Sequence, residues 1–259
     1  MDLCEHHPLK SLPPENRHPW ELARFRICRK FIQEFTRPGD KIVDIGCGDA
    51  FIVSSLAKTF PDRTFLGLDP GFDKNEASLL KQNLGLDNLW ILSTWNDMTI
   101  DFEGISAFIL LDVLEHVNDA PAFMKEIWDR FDHVQHLSGL ITVPAFHSLM
   151  IQRDVFLKHF RRYNRKMLRQ HLSRNKFSYY EDGYCFISIF PIRIIQVVME
   201  RIGVRSSKTK RTSLSEWKFP KQVSTMLHSI LYSDFVVLRY LSRIGCHLPG
   251  LSCYTILQK

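Results

Sequence analysis

Residues 41–50, Lys-Ile-Val-Asp-Ile-Gly-Cys-Gly-Asp-Ala, leave the chain few ways to fold. Ile42, Val43 and Ile45 are β-branched, the type that packs best in a buried strand. Gly46 and Gly48 follow at once, and Phe51, Ile52, Val53, Leu56 and Ala57 then form an apolar run suited to a helix. The stretch predicts a strand, a tight glycine turn and a helix. Glycine serves such a turn twice: it bends where a side chain would clash, and it leaves backbone bare for a ligand. Asp44 falls at the end of the strand, where open α/β sheets carry their binding crevice.

A dinucleotide fingerprint asks for a third glycine three residues after the second, and Phe51 takes that place. A phosphate-cradling loop asks for Gly-Lys-Ser/Thr, which the chain lacks. A nucleoside without pyrophosphate fits better. A second apolar run, Phe65-Leu66-Gly67-Leu68, ends in Asp69. It lies about twenty residues past the turn, the separation at which a second-strand acid reaches ribose hydroxyls.

Val43-Asp44-Ile45-Gly46-Cys47-Gly48 resembles the first motif of the class I methyltransferases that use S-adenosylmethionine. Leu111-Asp112-Val113-Leu114-Glu115-His116-Val117 resembles their segment after the fourth strand. The likeness runs over residues 18–183 and again over the last strand. Ala50 departs from it, standing where that family usually has a third glycine. The resemblance implies S-adenosylmethionine as cofactor. Asp44, Gly46, Cys47 and Gly48 would surround it in the turn, Asp69 would hold the ribose, and Asn96 or Asp97 would meet the adenine. Asp112 would close the site from the fourth strand, and Asp44 is also a candidate for the cofactor's ammonium. Trp20 and Arg24, on an N-terminal helix, would close over it.

Apolar residues at mostly helical spacing predict that first helix over 19–35, with Pro19 in its first turn. Strand 41–45, helix 50–59, strand 64–69, helix 73–84 and strand 89–94 then alternate, which predicts a parallel sheet. Ala107–Leu111 reads as a central strand buried on both faces. Pro121 opens a further helix after Asn118 and Asp119, and 140–143 reads as the fifth strand. Residues 177–189 contain the sixth. The family likeness completes an α/β, Rossmann-like, seven-stranded, mostly parallel sheet with helices on both faces and an antiparallel last strand at 251–257. Two apolar helices, 191–201 and 220–243, make a helical insertion over about 190–245, joined by a polar loop at 203–216. The domain is 19–259, preceded by an irregular arm, 1–18, read as a mobile tail. Cys4, His6 and His7 in that arm are too few for a four-ligand metal site, so no metal is expected.

With 259 residues the chain suffices for one large α/β domain with an insertion. The net charge of +6 suggests an anionic acceptor or a negative surface. The six cysteines include no Cys-x-x-Cys pair, and Cys47 lies inside the turn, so a reducing cytoplasm fits. The N-terminus is polar and no apolar run reaches the ~20 residues that span a bilayer.

Residues 153–176 carry nine Lys or Arg (Arg153, Lys158, Arg161, Arg162, Arg165, Lys166, Arg169, Arg174, Lys176) and one acid, Asp154. They read as one short basic helix. Their centre, His159-Phe160-Arg161-Arg162-Tyr163, is similar to a His-x-Arg-Arg-Tyr run in bacterial methyltransferases of the small-molecule and surface-glycan type. That likeness implies a small anionic or sugar-like acceptor, held by His147, His159, Arg161, Arg162 and Tyr163 and methylated at oxygen. His116, four residues past Asp112, is the candidate base, because imidazole titrates near neutrality. A solvated basic face is the alternative for the run. No nucleic-acid module accompanies it. An RNA or lipid methyltransferase and a non-catalytic cofactor-binding protein remain the competing readings. The insertion is open to service as a lid, a homodimer face or a peripheral membrane contact.

Overall fold

The structure, a computed structural model, describes residues 17–97, 104–173, 177–203 and 219–259. In chain order the elements begin α1 (Pro19–Phe35), β1 (Lys41–Ile45), α2 (Phe51–Thr59), β2 (Thr64–Leu68), α3 (Lys74–Leu84), β3 (Leu89–Leu92) and β4 (Ile105–Leu111). They continue with α4 (Ala120–Arg130), β5 (Ser138–Pro144), α5 (Gln152–Phe156), α6 (Arg165–Leu172), β6 (Ser178–Cys185), α7 (Phe190–Arg201), α8 (Lys221–Arg243) and β7 (Ser252–Gln258). The strands form one sheet in the order β3-β2-β1-β4-β5-β7-β6. Only β7 runs against its neighbours, β5 and β6. The expected α/β sheet with an antiparallel last strand is present. The strand order turns back between β1 and β4, which opens a crevice at their carboxyl ends.

Alternate side chains of a strand point to opposite faces, and each face here is covered. Ala107, Ile109 and Leu111 of β4 join the core beneath α1, α2 and α8. Phe108 and Leu110 join the core beneath α4 and α6. The start of α1 is fixed locally. The His18 ring accepts from Trp20 N–H at 3.2 Å, and Glu21 accepts from His18 N–H at 3.3 Å. Both satisfy amides that the first helical turn leaves unpaired.

The insertion divides into two unlike parts. Helix α8 lies against α1 and β6. Its buried Arg239 donates to Glu181 of β6 at 2.6 Å and pairs with Glu34 of α1 at 2.7 Å. Tyr254 of β7 donates to the same Glu181 carboxylate at 2.9 Å. Helix α7 instead touches the segment after β5 through Arg193 and Glu200.

The basic stretch is not one helix. It forms α5, then an extended run, then α6, which Asn164 caps by accepting from Met167 N–H at 2.8 Å. Tyr163 in the extended run forms a parallel bridge with Ala145. That backbone pairing needs extended residues, so a continuous helix is excluded. Residues 1–16, including Cys4, His6 and His7, and most of the polar loop lie outside the described residues.

Candidate active site

The crevice is a cleft of about 800 Å³, a size that suits a nucleoside-sized ligand. Its floor is the glycine turn. Gly46 has φ +78°, and a Cβ there would stand 2.4 Å from Val113 Cγ2, so no larger residue fits. Asp69, at the tip of β2, accepts from Gly48 N–H through Oδ2 and from Gly71 N–H through Oδ1, both at 2.8 Å. Each carboxylate oxygen has a second lone pair, so both remain able to accept from a ligand's hydroxyls. The turn ends at Ala50, whose φ of 59° is a left-handed conformation that a Cβ makes costly.

Asp44 lies on the next strand tip and is buried. Burial pushes its carboxyl up to about 7, Arg24 opposes that rise, and Asp69 adds to it. Asp112 has φ +52°, a strained conformation for a residue other than glycine. Burial raises its carboxyl, but Arg24 Nη1 at 3.2 Å and the Thr142 hydroxyl at 3.2 Å bring it below the usual carboxylate range. Asp44, Gly46, Cys47, Gly48, Asp69 and Asp112 all line the cleft, with Arg24 from α1. Trp20 turns away and packs on Phe186 at 5.3 Å. Asn96 does not line the cleft. It is exposed on the turn Trp95–Asp97, where Trp95 packs edge-on against Phe131, the residue that follows α4.

Two residues at the cleft wall, Lys158 and Phe160, and one just behind it, Arg17, escape a reading from motifs alone. Arg17 is buried, ion-paired to Asp49 of the turn and stacked 4.3 Å over Phe51. Lys158 and Phe160 line the cleft as well. A basic run gave no signal as to which of its members faces in.

His116 lines the cleft on the turn Leu114–His116. The His159 ring sits 4.7 Å away and edge-on, and its Nδ1 meets Asp154 Oδ1 at 3.0 Å. Beside them, Glu115 is buried and its Oε2 has no hydrogen-bond partner among the described residues. Burial and the Asp112 charge push that carboxyl up. Glu115, His116 and His159 offer ligand atoms within 4.8 Å of one another, a spacing that a divalent cation could bridge after small side-chain movements.

Four arginines of the basic run, Arg161, Arg162, Arg165 and Arg169, are committed to the framework. Arg162 donates to Asp154 at 2.9 Å and to Ala145 O at 3.1 Å, and Arg193 of α7 reaches the same Asp154 at 2.8 Å. These partners hold Asp154 well below the usual carboxylate range against its burial. Arg165 and Arg169 both fork onto Asp182 of β6. Arg161 donates to Asn118 O, and the buried Tyr163 donates to Leu114 O at 3.0 Å. The expected anion clamp is therefore corrected. Arg162 and Tyr163 are buried braces between the loops after β4 and β5, Arg161 ties down the same loops, and His147 is exposed away from the cleft wall. Of the expected acceptor-side residues, only His159 meets the cleft, and it does so through His116.

No protein-family model matches the chain. A ribosomal protein L11 methyltransferase from Thermosipho africanus is 31% identical over 133 residues, 49% of this chain and 48% of that protein. The chain thus spans about half the length of the curated relative it matches. Among solved structures, a mycolic acid cyclopropane synthase complexed with SAH and CTAB superposes with a TM-score of 0.52 at 16% identity, over 96% of this chain and 92% of that one. A coclaurine N-methyltransferase bound to N-methylheliamine and SAH gives 0.51 at 9% identity, over 92% and 72%. The fold is that of the class I S-adenosylmethionine-dependent methyltransferases.

Proposed function

We propose that the protein is an S-adenosylmethionine-dependent methyltransferase acting at oxygen on a small acceptor that carries an anionic or sugar-like group. The observation that carries this reading is the pair of carboxylates at neighbouring strand tips. Asp44 and Asp69 flank a glycine turn that only glycine fits, on a cleft large enough for an adenosyl group. When bound, the cofactor supplies a methyl on a positively charged sulfur. Asp69 would accept from its ribose hydroxyls, and Asp44 would hold its ammonium. Nothing further is needed to activate the methyl, so the chain's main contribution is alignment, worth up to ~7–11 kcal/mol in well-oriented reactions.

His116 faces the acceptor. With the cofactor bound to supply its methyl, His116 would take up the proton that the acceptor hydroxyl gives up. His159 steadies that ring from its edge, and Asp154 holds His159 in place. Lys158 is a cation on the acceptor wall, and it supports an anionic group on the acceptor better than the arginines, which are already paired. That same pairing leaves fewer of the run's cations for an RNA substrate.

Calorimetry with the purified protein tests the reading. We expect stoichiometric binding of S-adenosylmethionine; no heat at millimolar cofactor overturns it. His116→Asn is expected to leave that binding unchanged and to slow turnover by ~10²–10⁴, the usual contribution of a general base.

A further inference from the structure

Three side chains from two separate segments meet at the edge of the cleft. Glu115 and His116 belong to the turn after β4, and His159 to the run between α5 and α6. Each offers one ligand atom, and these atoms lie within 4.8 Å of one another. Glu115 is 1% exposed and the His159 side chain 6%, while His116 lines the cleft. The two segments are tied together beside the cluster. Phe160 N–H donates to Glu115 O at 2.8 Å, and the Tyr163 hydroxyl donates to Leu114 O at 3.0 Å. The meeting is therefore fixed by the backbone and not left to side-chain rotation.

Two further observations point to a ligand. Among the described residues, Oε2 of Glu115 has no hydrogen-bond partner. A buried carboxylate oxygen left unpaired is costly, and a cation beside it offsets that cost. The second observation concerns His159, whose Nδ1 meets Asp154 Oδ1 at 3.0 Å. Arg162 and Arg193 also close on Asp154 and keep it ionised. An ionised carboxylate only accepts, so Nδ1 carries the hydrogen and Nε2 keeps its lone pair. A carboxylate behind the other ring nitrogen is how proteins aim a metal-binding histidine and fix its tautomer.

We propose that Glu115, His116 and His159 bind a divalent transition-metal ion of the zinc type. One carboxylate and two imidazoles are a donor set that zinc takes with a further position left open, whereas magnesium and calcium take mainly oxygen. Tetrahedral ligand atoms at the usual metal distances lie about 3.3–3.6 Å apart, so these three need to approach by at most about 1.5 Å. The binding stands without the methyltransferase reading, but its use rests on that reading. An acceptor hydroxyl in the open position would release its proton to water in the cleft more readily, as metal-bound water does. His116 would then serve as a ligand in place of a base.

Cobalt(II) is the probe, because its protein-bound form absorbs visible light according to its ligands. The full chain, stripped of metal with a chelator and dialysed free of it, is titrated with Co²⁺. We expect a single saturable site whose spectrum Zn²⁺ bleaches and an equal concentration of Mg²⁺ does not. Glu115→Gln, which keeps the shape of the side chain, and separately His159→Gln are each expected to weaken Co²⁺ binding at least ~100-fold, beyond the ~10–100-fold typical of an outer partner. Calorimetric binding of S-adenosylmethionine by both variants should match the parent's, which also shows that they fold. A chain that binds S-adenosylmethionine but gives no Co²⁺ spectrum overturns the metal site and spares the methyltransferase reading. A spectrum that survives both substitutions also overturns it, because the ion then sits elsewhere, such as on Cys4, His6 and His7. Co²⁺ binding without S-adenosylmethionine binding supports the site and removes only its proposed use.

Discussion

The strand tips of β1, β2 and β4 and the segment after β5 are both crowded with charge, and they use it in opposite ways. Asp44, Asp69 and Asp112 are partly neutralised by Arg24 and by backbone amides, yet each still borders the cleft. Asp154 and Asp182 are saturated: five arginine or histidine side chains close on them and none of the oxygens faces the cleft. The first arrangement leaves electrostatic work undone for a ligand to complete. The second completes it within the fold. Residue type alone does not separate a binding site from a brace; unfinished hydrogen bonding does.

The sharpest way to break this contrast is to remove the hub of the brace. Asp154→Ala leaves Arg162 and Arg193 unpaired in a mostly buried setting, and is expected to lower unfolding free energy by ~3–5 kcal/mol in denaturant titration. A loss under 1 kcal/mol would mean the basic run is a solvated face after all. The counterpart at the cleft is Asp69→Ala, expected to weaken S-adenosylmethionine binding by ~10–100-fold, the worth of hydrogen bonds to a charged acceptor. Stability should change less than for Asp154→Ala; the reverse ranking would show the two regions to be misassigned.

A pH series sharpens the comparison further. The folded-state value of Asp44, about 7, lies above the unfolded value near 4. The folded protein therefore holds that proton more tightly, so this group's contribution makes stability fall as pH rises from about 4 to about 7 and level off above. A cationic ligand group beside Asp44 favours the carboxylate, so cofactor affinity should rise up to about tenfold per unit below 7 and then flatten. Asp44→Asn should abolish that slope in calorimetry at several pH values. Asp154 titrates far below this window and contributes none of it. The smallest effect concerns the turn itself. Ala50→Gly relieves a left-handed alanine, and thermal unfolding should show a gain of ~1 kcal/mol without a change in cofactor affinity.

Much of the framework was readable in advance, because it depends on contacts along one element. The β-branched run at 42–45, the paired glycines and the acid closing the next strand each state a local requirement, and the elements from α1 to β3 end within about two residues of those expectations. The family likeness locates the segment of Asn96, while the packing of Trp95 on Phe131 sets how that segment lies. Lys158 and Phe160 went unnoticed because they belong to a run whose sequence does not say which of its members faces the cleft. Arg17 was counted with the N-terminal arm, although its partner, Asp49, is thirty-two residues away in the turn.

By itself, then, the amino-acid order determined the strand–turn–helix unit, the order of the sheet's parts and the carboxylates at its tips, since periodicity and glycine act over a few residues. Only the tertiary structure decided which arginines would be spent on Asp154 and Asp182. It also decided that His159 would stand beside Glu115 and His116. Both outcomes depend on partners distant in the chain, and a side chain's hydrophobicity or charge carries no record of what will stand opposite it.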